Sequence, residues 1–125
     1  MLKVLAPLVI GGSLGAVSRW GVQQWVDGRF GTGGPFPWGI LVVNLAGCFL
    51  FGWLFGFLEN RTWGTEAMRL AIFTGFLGSF TTFSTFSWNT LELLRSGAIG
   101  LAIANVGASV ILGLVAVWLG LLLGR

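Results

Sequence analysis

Long apolar runs separated by short polar stretches dominate the pattern along this chain. A helix needs roughly 20 apolar residues to cross the hydrocarbon of a bilayer. Four runs reach that length, and they predict membrane helices over Val4 to about Trp25, Trp38 to Leu58, Leu70 to Leu94 and Ala98 to Leu123. The stretches between them are too short for a second domain, so we expect one all-α, four-helix transmembrane domain over residues 1–125.

The first apolar run follows Lys3, an arrangement that secretory signal peptides share. Three further runs follow it, and no small-residue cleavage site precedes a soluble domain. We therefore interpret this run as a retained membrane helix.

The third run contains an unusual stretch of glycines, hydroxyl residues and phenylalanines between Gly75 and Ser87. Gly75 and Gly78 lower helix stability, and the side chains of Thr81 and Thr82 can bond nearby backbone groups. Polar or irregular backbone at membrane depth survives only where it is buried in protein or lines a watery path. This pattern predicts a helix broken near the midplane, with carbonyls that, contributed by two copies, would suit a bare monovalent cation.

Two phenylalanines follow the predicted break at a spacing that puts them on one side of a resumed helix. The edge of an aromatic ring carries partial positive charge, so Phe83 and Phe86 could face an anion. Hydroxyl donors lie between and beside the rings, at Ser84, Thr85 and Ser87. A helical stripe of phenylalanines is also typical of packing or of a lipid-facing surface, and such a stripe runs through Phe73, Phe76, Phe80 and Phe83.

Neutral polar residues lie at depth in two other runs. Asn44 is in the second run, while Asn105 and Ser109 lie four residues apart in the fourth and share a helix face. An amide among apolar residues must find a partner or face water. Both explanations, hydrogen bonds between helices and a polar path, fit these residues.

Composition and charge exclude several classes of protein. Only 9% of residues are charged, against about 25% in soluble domains. The basic residues are scattered, which argues against nucleic-acid binding. The chain has no histidine and a single cysteine, Cys48, so no intrachain disulfide, structural zinc site or haem site is expected. No enzymatic constellation is present, and the acidic residues lie at loops or span ends, at Asp27, Glu59, Glu66 and Glu92.

The basic residues divide almost evenly between the two sides of a four-span topology. The side that holds both termini has Lys3, Arg61, Arg69 and Arg125, and the opposite side has Arg19, Arg29 and Arg95. Excess Lys and Arg normally fixes orientation. Either a single charge decides the orientation here, or copies insert both ways and pair antiparallel.

Small and aromatic residues carry further hints about assembly. Three GxxxG pairs permit close helix contact, within the chain or between subunits, at Gly11 and Gly15, Gly52 and Gly56, and Gly120 and Gly124. Tryptophans near predicted span ends fit an interfacial belt, at Trp25, Trp38 and Trp63.

Three sequence blocks together resemble one known family. They are Gly11-Gly12-Ser13-Leu14-Gly15 with Arg19-Trp20, Trp38-Gly39 followed by Val43-Asn44-Leu45, and Thr74-Gly75-Phe76-Leu77-Gly78 running into Thr81-Thr82-Phe83-Ser84-Thr85-Phe86-Ser87. The last block is highly specific. With it, the chain resembles the Fluc-type (CrcB) bacterial fluoride channels over essentially its whole length.

The resemblance implies a passive fluoride channel in the bacterial plasma (inner) membrane. The expected assembly is an antiparallel, dual-topology homodimer in lipid, with two fluoride pores and a central structural Na⁺. The resemblance assigns the pore to Asn44, Phe83, Ser84, Thr85, Phe86 and Ser109. It assigns Arg19 to a vestibule, and the backbone carbonyls of Gly78 and Thr81 to Na⁺.

The chain departs from the family at three positions near the expected pore. Asn89 stands where members commonly have Glu, Asn105 where some have a pore tyrosine, and Ile40 where some have threonine. Two other classes of protein remain as alternatives: a small dual-topology cation or drug exporter, and a helical assembly that transports nothing. The exporter would need a titratable group at depth, and the assembly would leave the polar run unexplained.

Overall fold

The computed structural model describes residues 1–59, 61 and 64–125, and within them four helices are long and apolar enough to cross a membrane. They span Leu2–Phe30 (α1), Trp38–Glu59 (α2), Glu66–Arg95 and Ile99–Gly124 (α6). The four predicted spans are confirmed, and the first extends to Phe30, beyond its expected end near Trp25. Trp63, expected at the membrane interface, lies outside the described residues.

The third span is assembled from several shorter pieces. In chain order these are α3 (Glu66–Leu70), a π-helical segment (Ala71–Leu77), α4 (Gly78–Phe80) and α5 (Phe83–Arg95). The threonine pair between α4 and α5 interrupts the helix near the middle of this 30-residue span. The predicted break is therefore confirmed, and the wide π turns before it were not anticipated.

A carboxylate ties α1 to the start of α2. The backbone N–H of Gly39 donates to Asp27 Oδ1 at 2.8 Å, which satisfies one of the unpaired donors at a helix N-terminus. A Cβ at Gly39 would lie 2.7 Å from both carboxylate oxygens, so only glycine lets the carboxylate approach this closely. A short 3₁₀ turn, Gly31–Gly33, connects the two helices.

Two of the GxxxG pairs hold α2 against α6. A Cβ added at Gly52 would collide with the carbonyl oxygen of Val117, and one at Gly120 would collide with that of Phe49. A Cβ at Gly124 would likewise collide with the carbonyl oxygen of Trp53. The glycines of each helix therefore receive the backbone of the other, which is the close approach that small residues permit.

The remaining GxxxG pair packs α1 on the first half of the third span. A Cβ at Gly11 would collide with the carbonyl oxygen of Ala71, and one at Gly15 with that of Phe76. All three pairs are thus used within one chain, so of the two explanations for them, packing within the chain is confirmed.

The turn between α5 and α6 has the hydrogen bonds of a Schellman motif. Gly97 adopts φ 80°, its N–H bonds the carbonyl of Leu94 at 3.1 Å, and the N–H of Ala98 bonds that of Leu93 at 2.8 Å. A glycine at this position avoids the Cβ penalty of the left-handed conformation. The turn folds α6 back along α5.

The side-chain core is narrow. Val26, Val43 and Asn105 are the largest fully buried side chains among the described residues. Most large apolar side chains on the helix exteriors are exposed on the single chain, Trp20, Trp25 and Trp118 among them. Such a surface is stable only against lipid or another subunit.

Candidate functional site

The break in the third span is two residues of extended backbone. Thr81 has φ −81° and ψ 156°, and Thr82 has φ −148° and ψ 116°. The N–H of Thr81 still reaches the carbonyl of Leu77 at 3.1 Å, and its hydroxyl donates to the same oxygen at 3.0 Å. This hydroxyl therefore closes the end of α4, and the chain leaves the helical path at Thr81 itself.

Asn44 of α2 holds the extended backbone at the break in place. Its Oδ1 accepts from the N–H of Thr82 at 2.8 Å, and its Nδ2 donates to the carbonyl of Thr82 at 3.2 Å. Both backbone groups of a residue outside any helix are thus satisfied by one side chain. The interhelical bond considered for Asn44 is confirmed. An amide nitrogen has two hydrogens, so one further N–H is left for another acceptor.

The Thr82 side chain starts α5. Its Oγ1 accepts from the N–H of Thr85 at 3.3 Å, as an N-cap, and donates to Thr85 Oγ1 at 3.1 Å. Ser84 Oγ lies 3.3 Å from the same hydroxyl. Because Thr85 accepts the proton of Thr82, its own hydroxyl proton is free to be donated elsewhere.

The break also leaves carbonyls at the end of α4 without their helical donors, as at any helix C-terminus, and those of Gly78 and Thr81 are among them. In an unbroken helix the N–H of Thr82 would bond the carbonyl of Gly78, and that of Thr85 would bond the carbonyl of Thr81. Here the two N–H groups donate to Asn44 and to the Thr82 hydroxyl instead. Gly78 is exposed on the surface of the subunit and Thr81 is half-buried. These are the two carbonyls that the family resemblance assigns to Na⁺.

The two rings after the break lie together at the subunit surface. The centroids of Phe83 and Phe86 are 5.6 Å apart, with ring planes inclined at 42°. Phe83 is 79% exposed on the single chain, and Phe86 is half-buried. Phe80, before the break, is buried and stacks on Phe76 at 5.8 Å. The phenylalanine stripe therefore divides at the break into a packed part and an open part.

Two residues of the fourth span have buried polar side-chain atoms. Asn105 is 1% exposed, and its Nδ2 donates to Thr90 Oγ1 at 2.9 Å. The Ser109 Oγ is buried and has no hydrogen-bond partner among the described residues. A buried hydroxyl without a partner costs free energy in a folded chain. Ser109 therefore retains an unused donor.

The predicted vestibule arginine is separate from this cluster. Arg19 is half-buried on α1, and among the described residues it takes part in no ion pair or hydrogen bond. An open cavity of about 780 Å³ is lined instead by the ends of α1 and α5 and by the connection into α2, and it contains charges of both signs. Its polar lining comprises Gln23, Asp27, Asn89, Glu92, Arg95 and Ser96.

A second, smaller cavity of about 220 Å³ adjoins the break between α2, the third span and α6. Cys48 lines it together with Gly78 and Thr81. The Cys48 Sγ would lie 3.7 Å from a Cβ added at Gly113 of α6. This contact indicates that Cys48 packs between α2 and α6.

Sequence reasoning missed two residues of the site. Thr82 was expected to bond backbone locally, but not to serve both as a cap and as the partner of Asn44. Thr90 carried no prediction, although its position four residues after Phe86 permits a hydroxyl bond to that carbonyl, which is present at 2.8 Å. The open cavity with Glu92 and Arg95 was also not predicted.

Comparisons with known proteins identify the family of the chain. The family profile described as "CrcB-like protein, Camphor Resistance (CrcB)" matches residues 6–121. The chain is similar to the fluoride-specific ion channel FluC of Acidobacterium capsulatum, with 44% identity over 94% of this chain and 93% of that protein. It is also similar to the fluoride-specific ion channel FluC of Salinibacter ruber, with 47% identity over 96% and 87% of the two chains. FluC 1 of Symbiobacterium thermophilum is 46% identical over 92% of each chain. The chain is therefore a multi-pass membrane protein that belongs to the CrcB family.

Proposed function

We propose that this protein is a passive fluoride channel and not an enzyme. The observation that carries the proposal is the cluster at the break, where ring edges, hydroxyls and an amide adjoin extended backbone halfway through a membrane span. The relatives named as fluoride-specific ion channels support the choice of ion. Fluoride that enters a cell as neutral HF dissociates inside, and a channel lets the trapped anion leave down its gradient.

The neutral donors at the break suit a small, strongly hydrated anion. Removing water from fluoride is costly, so a pore must replace that water with several weak donors. The Thr85 hydroxyl has a free proton, Ser84 is exposed beside it, and Asn44 has a second N–H. The positive edges of Phe83 and Phe86 complete the lining. The pore therefore needs no strong fixed charge, which would bind the ion too tightly for it to leave.

A second, antiparallel copy of the chain would enclose the pore. Phe83 and Gly78 are exposed on the single chain, although both lie at membrane depth. A partner covering this face would bury the ring and place a second set of donors opposite the first. The near-equal division of basic residues supports antiparallel insertion of the two copies.

Two of the released carbonyls, those of Gly78 and Thr81, fit a structural Na⁺ between the copies. Carbonyl oxygens are ligands for hard cations, and the donors that would otherwise occupy the oxygens of Gly78 and Thr81 are bonded elsewhere. Two copies would supply four such oxygens. A bound Na⁺ would supply positive charge that holds the two breaks in register.

The exporter considered from the sequence has no supporting observation. Proton-driven export of a cation needs a titratable group within the membrane. All four acidic residues lie at the ends of spans or in the loops between them, and Glu92 is one turn from the end of α5. We therefore propose only the channel.

Fluoride efflux from liposomes that contain only this purified chain tests the proposal. A fluoride electrode should record rapid loss of fluoride, while a chloride electrode records little loss from matched liposomes. Passage of neither ion by folded dimers in Na⁺ would overturn the proposal. Equal loss of both ions would overturn fluoride selectivity.

A further inference from the structure

A chain of hydrogen bonds joins the buried amide of α6 to the backbone of a pore phenylalanine. Asn105 donates to Thr90 Oγ1 at 2.9 Å, and Thr90 Oγ1 donates to the carbonyl of Phe86 at 2.8 Å. A hydroxyl has one proton, and its lone pairs can accept. Since that proton goes to Phe86, the Thr90 oxygen is the acceptor for Asn105, and the direction of both bonds is fixed.

This chain of hydrogen bonds from Asn105 through Thr90 to Phe86, called the relay below, matters because α5 is held by few other polar contacts. The break separates α5 from α4, and α5 packs mainly on α6. Asn44 and Thr82 fix its first turn, and the turn at Gly97 fixes its end. Within the described residues, the bond from Asn105 to Thr90 is the one side-chain hydrogen bond between α5 and α6.

A helix held in this way is restrained from rotating about its own axis. Side chains extend about 5–6 Å from a helix axis, so a rotation of about 20° would move a ring by roughly 2 Å. A shift of that size is enough to change which part of the Phe86 ring faces a passing ion. The hydrogen bond from Asn105 of α6 to Thr90 opposes this rotation, and it lies one helical turn beyond Phe86.

Asn105 is too deeply buried to line a pore itself. With 1% of its surface exposed on the single chain, it cannot become more accessible when a partner binds. Its role is therefore different from that of an open pore residue. The residue acts through Thr90 on α5.

We propose that Asn105 and Thr90 are positioning residues that set the Phe86 ring and thereby the selectivity for fluoride over chloride. This inference rests on the proposed channel function. It assigns the relay to selectivity, beyond the packing of α5 on α6. The ligand whose passage it controls is a bare monovalent anion at the ring edges.

Three single variants and one double variant test the relay in liposomes. T90V removes the hydroxyl with little change of shape, N105L removes the donor, and T90S keeps the hydroxyl. T90V and N105L should each lower the ratio of fluoride to chloride efflux by up to about tenfold, the effect of one hydrogen bond. T90S should stay within about twofold of the unaltered protein. The double variant should match the single variants, because both residues act in one chain of bonds.

The unaltered protein separates failure of this inference from failure of the channel. If it passes no fluoride, the channel function and the relay both fall. If it conducts, but T90V and N105L keep its selectivity, the relay is overturned, even where their melting temperatures fall. If T90V does not yield folded dimers by size-exclusion chromatography, T90C is measured instead, because a thiol is a weak donor and acceptor. An unaltered selectivity ratio in T90C would equally overturn the proposal.

Discussion

Asn44 bonds both backbone groups of Thr82, accepting from its N–H at 2.8 Å and donating to its carbonyl at 3.2 Å. The two residues are 38 positions apart in the chain and belong to different spans. The N–H and carbonyl of Thr82 have no bonding partner within a helix. The Asn44 amide therefore supplies the hydrogen bonds that a neighbouring helical turn would otherwise supply. One side chain thus makes an extended residue tolerable at membrane depth.

Removing this amide should destabilise the fold as well as reduce conduction. Asn44→Ala leaves an N–H and a carbonyl of Thr82 unpaired, and each buried unpaired group costs about 1–3 kcal/mol. We expect a clearly lower melting temperature in detergent, measured by tryptophan fluorescence, together with reduced fluoride efflux. A melting temperature equal to that of the unaltered protein would contradict the structural role of Asn44.

The exposed ring of Phe83 should matter for conduction and little for stability. Phe83 is 79% exposed on the single chain, so Phe83→Ile removes a ring edge and disturbs little packing within the subunit. We expect fluoride efflux to fall at least about tenfold, which corresponds to a loss of about 1.4 kcal/mol. Size-exclusion chromatography should still show the proposed dimer.

The same substitution at another exposed phenylalanine provides the control for Phe83. Phe55 of α2 is also an exposed phenylalanine, at 50%, and it takes no part in the proposed pore. Phe55→Ile should conduct at the rate of the unaltered protein. Equal efflux from both variants would remove the ring edges from the mechanism.

The spans and the break were predictable from the sequence because they depend on local features. The length of an apolar run fixes a span, and Gly78 followed by Thr81 and Thr82 weakens a helix wherever it occurs. The carbonyls of Gly78 and Thr81 were identified through family resemblance, and the structure supplies the reason that they are free. The role of Na⁺ there stays a prediction.

The partners of polar residues were not predictable, because they depend on packing between distant segments. Asn44 alone fits both a pore and an interhelical bond, and only the position of Thr82 against α2 decides that the bond exists. The partners of the GxxxG pairs were unpredictable for the same reason. The sequence around Gly15 does not indicate that the backbone of Phe76 packs against it. Thr90 links Asn105 to Phe86 across two spans, a relation that no spacing within one helix reveals.

Two glycines of α1 should respond differently to the same substitution. A Cβ at Gly15 collides with the carbonyl oxygen of Phe76, whereas one at Gly21 meets nothing within 4 Å. Gly15→Ala should force α1 away from the third span and cost about 1–3 kcal/mol. Gly21→Ala should leave stability unchanged or raise it slightly, because alanine favours helix. Thermal unfolding in detergent compares the two, and equal melting temperatures would contradict this helix contact.

Removal of Na⁺ should weaken the proposed dimer if the carbonyls of Gly78 and Thr81 bind this ion. A ligand that binds only the folded state adds about 2.7 kcal/mol at a concentration of 100 times its Kd. We expect the dimer to melt at a lower temperature in choline chloride than in sodium chloride, with full recovery when Na⁺ is restored. Identical melting in both salts at equal ionic strength would leave the four carbonyls without this role.

The open cavity at the end of α5 should influence how fast fluoride reaches the rings. Glu92 and Arg95 line it with opposite charges, beside Asn89. A charge within a cleft changes the local concentration of an ion and therefore its rate of arrival. Glu92→Gln should raise fluoride efflux a few-fold at low ionic strength, and Arg95→Gln should lower it. Both effects should fade near 1 M salt, where the Debye length is about 3 Å. Stopped-flow efflux at two ionic strengths measures this, and matched changes of the same sign in both variants would show that the cavity does not lie on the path of the ion.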